Sequence, residues 1–242
     1  MRVTAAVRRR VRFRAWAAGL DRQLRRSGGR LRLEAPHPVF LDGPPLVKPT
    51  GDGGPGGTLT LRLGRDVHLG RDMTIDIWAG ADATLDIGDG TTFGQAVRLQ
   101  LRGGAIRIGP SVQVRDFVIL KSEGELTVGE WSVLSHGTMV HCTERIEIGD
   151  RVGLGERSSL LDSDHAADGS DVFYLDQPLR VSPVRVGRNV VAGANTVVLR
   201  GTDVGPNAVI GAGAVLTGGN YPGGWVIGGV PARPLKELPG AQ

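Results

Sequence analysis

The sequence predicts an all-β solenoid of short parallel strands that carries one basic N-terminal helix. Three observations lead there: the glycine content, a six-residue apolar beat, and a positive charge confined to one end. Glycine supplies 38 of the 242 residues, more than twice the usual ~7 % and too much for a helical bundle. Apolar residues make up 40 %, enough for one sizeable core and too many for a disordered chain. Residues 1–32 hold eleven Arg against the single acid Asp21, a net charge of +10, whereas residues 33–242 carry 18 basic and 24 acidic groups, a net −6. A basic segment on a mildly acidic body argues against reading the whole chain as a nucleic-acid binder.

From the N-terminus, residues 3–26 are rich in Ala and Arg, and Phe13, Trp16, Leu20 and Leu24 recur at helical spacing before Ser27-Gly28-Gly29; this predicts an amphipathic helix with a glycine stop. Its apolar stripe would pack on the β-body or on a neighbouring subunit. Alternatively, its arginines, Arg8, Arg9, Arg10, Arg12 and Arg14 among them, would rest on an anionic membrane surface or an acidic partner. The apolar patch Ala15–Leu20 is too short for a signal peptide, and no window of 18 apolar residues exists, so a cytoplasmic address is expected, with surface association at the membrane as an option. Gly43–Gly57 reads as a linker or irregular edge. The expected division is therefore 1–58, helix and linker, and 59–242, the repeat domain.

In that domain an apolar residue returns every six positions at Leu63, Leu69, Ile75, Ala81, Ile87, Phe93 and Leu99. The register restarts at Ile108, Val128 and Ile148, each followed by Gly, with aliphatic partners six and twelve residues on; the twenty-residue spacing implies a two-residue insertion per turn. The beat resumes at Val186, Ala192, Val198, Val204, Ile210 and Leu216. A period of six fits neither a helix nor an alternating strand. It fits short strands joined by tight turns, stacked so that each rung buries its aliphatic residue against the next.

Gly211-Ala212-Gly213-Ala214-Val215-Leu216-Thr217, followed by Gly228-Gly229-Val230-Pro231-Ala232-Arg233, resembles the end of the hexapeptide-repeat acyltransferases. It looks like the end of the galactoside, maltose and streptogramin acetyltransferases and of the sugar O-acetyltransferases of polysaccharide pathways. The likeness covers roughly residues 60–236. It implies a left-handed parallel β-helix with three hexads per coil, a homotrimer, and acetyl-CoA or another acyl-CoA as co-substrate held in the groove between subunits. It also implies transfer of the acyl group to a hydroxyl of a sugar or glycan precursor.

The beat fails from Asp162 to Pro183, a polar stretch that opens Asp162-Ser163-Asp164-His165. Long departures from a regular array are usually functional loops. In the family such a loop carries the catalytic histidine near its start, and His165 is the matching residue. Imidazole suits the task, because an acceptor hydroxyl becomes a competent nucleophile only when a base with a pKa near neutrality takes its proton. Asp162 or Asp164 would orient the ring. Carried over by position, Ala194 and Ala212 match backbone contacts to the pantetheine arm, Thr217 a contact nearer the nucleotide, and Arg233 and Lys236 basic residues near the phosphates. The sequence departs from the family's usual pattern at Gly218, often Lys, and at Val190-Val191, where an aromatic is common.

His136 and His141, five apart, also resemble the histidine pair of γ-class carbonic anhydrases. A zinc site of that kind needs a third histidine about two coils upstream, and that stretch reads Arg98-Leu99-Gln100-Leu101-Arg102. No bound metal is expected; His136, His141 and Tyr174 are read instead as candidate acceptor contacts. The single cysteine, Cys142, rules out an internal disulfide framework. A zinc lyase and a non-catalytic β-helix scaffold are the two alternative classes.

Overall fold

The computed structural model describes residues 5–50, 56–78 and 80–240. Parallel strands stack into three sheets of nine, ten and eight strands, which form the three long faces of a solenoid. Face 1 runs from Arg30–Glu34 to Gly219–Tyr221, face 2 from Phe40–Leu41 to Trp225–Gly229 with one further strand, and face 3 from Leu46–Thr50 to Val215–Leu216. Inward residues of successive rungs pair directly: Leu126 with Ile146, Leu134 with Leu154, Leu120 with Val140. Their side chains are fully buried or nearly so, and each rung removes apolar surface that its neighbours cannot cover alone.

Coil length shortens along the rod; the twenty-residue coils are those the spacing implies, whereas the earlier ones are longer than the three hexads expected of them. Leu61 pairs with Leu85, Leu126 with Ile146, and Val198 with Leu216, steps of 24, 20 and 18 residues. Ala81 is a correction: it keeps the beat in number but lies in the connection between Thr74–Trp78 and Ala83–Ile87 and is only partly buried, because that coil needs extra chain to close. Corners turn through left-handed backbone, at Asp66 (φ 53°) and Asn195 (φ 59°) but also at Phe117 (φ 62°) and Trp131 (φ 58°). Where rungs touch most closely only glycine fits. A Cβ on Gly124 would lie 2.1 Å from the Glu144 carbonyl oxygen.

Helix α1 (Ala5–Arg26) lies across the first coil and buries Phe13, Trp16, Leu20 and Leu24. The Trp16 indole donates to the Pro45 carbonyl (3.2 Å) and the Gln23 amide to the Val47 carbonyl (2.5 Å). The Gly29 N–H bonds back to the Leu24 carbonyl (2.9 Å) and Gly28 adopts φ 79°, a glycine C-cap. The helix thus caps the open end of the stack.

Strands β1 (Arg30–Glu34), β2 (Phe40–Leu41) and β3 (Leu46–Thr50) each join one face, with Leu31 on Leu59, Leu41 on Leu69 and Val47 on Ile75. Here the structure corrects the division at residue 58. The first coil is built from residues assigned to the linker, and a 28-residue step hides it from a six-residue search. Residues 51–55 of that stretch lie outside the described residues. At the far end Ala232–Glu237 folds back antiparallel on Trp225–Gly229 and closes face 2.

Candidate active site

After the sixth rung of face 3, Ser159–Leu161, the chain leaves the rod as an arm. Ser163–His165 pairs antiparallel with Leu179–Val181, His165 standing opposite Leu179. His165 is exposed. Its ring meets Tyr174 edge-on, with centroids 5.8 Å apart, and Tyr174 in turn meets Phe173 at 5.0 Å. Two of the residues read as site candidates, His165 and Tyr174, are therefore brought together by the arm.

The two acids are not partners of that ring. Asp162 sits in the inward column of face 3, after Cys142 one rung below, and is fully buried. One carboxylate oxygen accepts the Thr143 N–H (2.7 Å); the other accepts those of Glu144 (2.8 Å) and Arg145 (2.9 Å). Asp162 thereby satisfies the turn where the preceding coil leaves face 3, so its expected role of holding the imidazole gives way to a structural one. Asp164 accepts from the Arg200 guanidinium at 2.7 Å, which ties the base of the arm to the next coil. Arg200 went unread in the sequence; its position at the corner after Val198 was the available signal.

Ala194 and Ala212 lie one rung apart on the corner between faces 2 and 3, since the Gly213 N–H bonds to the Ala194 carbonyl (2.9 Å). His136 is on the same corner two rungs below, joined through the Arg157 N–H to His136 carbonyl bond and the Asn195 N–H to Glu156 carbonyl bond. Thr217 follows the last rung of face 3 and is exposed, as are Arg233 and Lys236 on the closing strand. Face 3 is thus flanked by the alanine corner on one side and the arm on the other.

The histidine pair is divided. His136 leans on Asp116 (3.6 Å) at the corner, whereas His141 lies on face 3 with its Nε2 2.7 Å from the Lys121 ammonium. Burial and the neighbouring Lys121 charge hold the His141 pKa below its usual value, which keeps the ring neutral at neutral pH. Its rung partners downward are Lys121 and then Gln100, so the position a third metal-binding histidine would need holds an amide. Among the described residues no group of three His, Cys, Asp or Glu is placed to hold a metal ion. Cys142 faces the core, and burial, then the Asp162 charge, push its thiol up to about 12. A broad groove of about 700 Å³ runs along the other side of the rod past Arg107, Glu147 and Arg185, away from His165. On one chain the arm's histidine stands in the open.

A rod of stacked short-strand coils with an extruded arm defines the class of β-helix proteins. Residues 183–218 match the family model for the bacterial transferase hexapeptide, six repeats. The chain is 30 % identical over 185 residues to the putative lipopolysaccharide biosynthesis O-acetyl transferase WbbJ of Escherichia coli, covering 73 % of this chain and 87 % of that one. It is 33 % identical over 133 residues to a probable acetyltransferase of Mycobacterium tuberculosis, 54 % of this chain but only 44 % of that longer protein. Among solved structures, that of the polySia specific acetyltransferase NeuO shares the fold, with a TM-score of 0.54 at 19 % identity over 78 % of this chain and 82 % of that one. The chain belongs to the hexapeptide-repeat transferase family, and its coil is the left-handed β-helix of that family.

Proposed function

We propose that the chain is an acetyl-CoA-dependent O-acetyltransferase acting on a hydroxyl of a sugar or glycan precursor. The observation that carries this reading is the arm, which departs from the coil register at the sixth rung and presents His165 at the edge of face 3, in a chain related over most of its length to a putative lipopolysaccharide O-acetyltransferase. His165 takes the acceptor proton as the hydroxyl oxygen attacks the thioester carbonyl. The tetrahedral oxyanion collapses with loss of the coenzyme A thiolate, which recovers a proton from the imidazolium. No covalent enzyme intermediate is required.

The donor lies along the last coils, with main-chain groups at Ala194 and Ala212 along the pantetheine arm, Thr217 nearer the nucleotide, and Arg233 and Lys236 toward the phosphates. Tyr174, His136 and His141 contact the acceptor. The working unit in this reading is a homotrimer whose neighbour supplies the second wall of the groove. The outer side of α1 presents Arg10, Arg14, Arg22 and Arg26, the charge an anionic membrane surface would attract. No helix of the described residues is long and apolar enough to cross a membrane.

The test is thiol release from acetyl-CoA with sugar acceptors, alongside calorimetric titration of the donor. His165→Ala lowers turnover by ~10²–10⁴ while donor binding near one site per chain is unchanged; near-normal turnover removes His165 from the role.

A further inference from the structure

Face 3 between the second rung and the arm has a surface unlike a plain solvated sheet. Asp76, Gln100, Lys121 and His141 occupy one outward column on successive strands. Asp76 points outward yet is 5 % exposed, because the Arg98 guanidinium (2.7 Å) and the Gln100 amide (3.2 Å) close over one carboxylate oxygen. Its other oxygen is buried without a hydrogen-bond partner. Lys121 is held between His141 (2.7 Å) and Glu123 (3.0 Å), with only 17 % of its side chain exposed. At the lower end of the adjacent column Trp78 is 39 % exposed, with the Arg102 guanidinium 5.6 Å from its ring; at the upper end the Thr143 and Ser163 hydroxyls bond at 2.7 Å. These side chains are cross-braced by one another, so a ligand laid on them loses little freedom to their ordering.

From this geometry we infer that face 3, from Trp78 to the arm, is an extended acceptor track that binds an oligosaccharide running along the rod axis toward His165. Trp78 and Ser163 are four rungs apart, roughly 19 Å at ~4.8 Å per rung, a length that seats about four sugar residues. One pyranose and its linking oxygen span close to one rung, so successive sugars meet successive rows of donors and acceptors. The exposed part of the Trp78 indole, beside the Arg102 guanidinium, gives the remote sugar an apolar surface for its C–H side. A peptide is the poorer occupant, because the strand N–H and C=O groups of this face are already used between rungs and none is left for backbone pairing. The proposed donor positions lie beyond the arm, on rungs seven and eight and on the closing strand Ala232–Glu237, so donor and acceptor approach His165 from opposite ends.

This inference rests on the transferase reading and specifies its acceptor as a chain rather than a single sugar. The experiment is direct binding of the full-length protein to an array of glycan series graded from mono- to octasaccharide, repeated with Trp78→Ala and Gln100→Ala, with acetyl-CoA titration of each protein as the fold control. At least one series is expected to gain affinity up to about four residues and then level off. Trp78→Ala should lower binding of the long members roughly ten-fold and leave disaccharides and acetyl-CoA unaffected. A length-independent response, retention of no series, or long-chain binding unchanged in Trp78→Ala overturns the track. Length-dependent binding without donor binding or transfer would instead refute the transferase reading, so the two failures are distinguishable.

Discussion

Replacing Asp162 by Asn keeps the side-chain volume and exchanges one carboxylate oxygen for an amide nitrogen. In the native turn one oxygen serves two N–H groups, of Glu144 and Arg145, and the other serves that of Thr143. The variant can keep its carbonyl on the pair, but its NH₂ then faces the Thr143 N–H, donor against donor. Two bonds lose charge assistance, about 1 kcal/mol each, and a third is lost with its half-buried donor facing another donor, about 1–3 kcal/mol. The expected loss is therefore roughly 3–5 kcal/mol against a typical total of ~5–15. Urea unfolding followed by tryptophan fluorescence should show a clearly lowered midpoint, and amide exchange should accelerate first at residues 143–145. Turnover per folded molecule, assayed well below the transition, should stay within a few-fold of wild type. A wild-type midpoint with turnover down a hundred-fold would refute this reasoning and return Asp162 to the imidazole.

Gly124→Ala drives a Cβ to within 2.1 Å of the Glu144 carbonyl oxygen and should cost ~3 kcal/mol or more as the rungs separate; Gly153→Ala, with nothing within 4 Å, is the near-neutral control in the same denaturation series. Trp16→Ala removes the main anchor of the end cap and leaves the Pro45 carbonyl without its donor, a loss of ~3–5 kcal/mol that thermal melting and early exchange in the first coil would report. The Cys142 thiol, pushed up to about 12 from 9.0, should resist alkylation at pH 8 until the chain unfolds. Because the unfolded thiol ionises first, its contribution to stability is intact below pH 9 and falls as pH rises from 9 toward 12; Cys142→Ser should flatten that part of the stability curve.

Much of the rod was legible in the chain because a six-residue repeat needs no knowledge of distant contacts. Each hexad places one aliphatic residue inward and one turn residue at a corner, so Leu120, Leu134 and Leu154 reveal their own burial. Phe117 and Trp131, in left-handed backbone at the corners, escape residue-type reasoning and are found only by counting register. The first coil was not legible, since its 28-residue step is not a multiple of six: Leu41 and Val47 are buried six apart but out of phase with the later beat, and its strands are recognised only by the rungs they pair with.

The division at the site has the same origin. Composition, the hexad beat and its failure at Asp162 were enough to place the rod and the arm, because these are local or periodic features; His165 was singled out by the family resemblance, not by period or composition. Which acid meets which donor was decided by stacking across 17 to 36 residues: Asp162 turned inward onto Thr143, Glu144 and Arg145, and Asp164 went to Arg200. Stacking also separated His136 from His141 and set His141 beside Lys121. Side-chain pairing across coils depends on coil length, and a single inserted residue shifts every outward neighbour to a different row. That is why three-dimensional closure of the coils, rather than the order of residues within them, assigns the partners of each charged group.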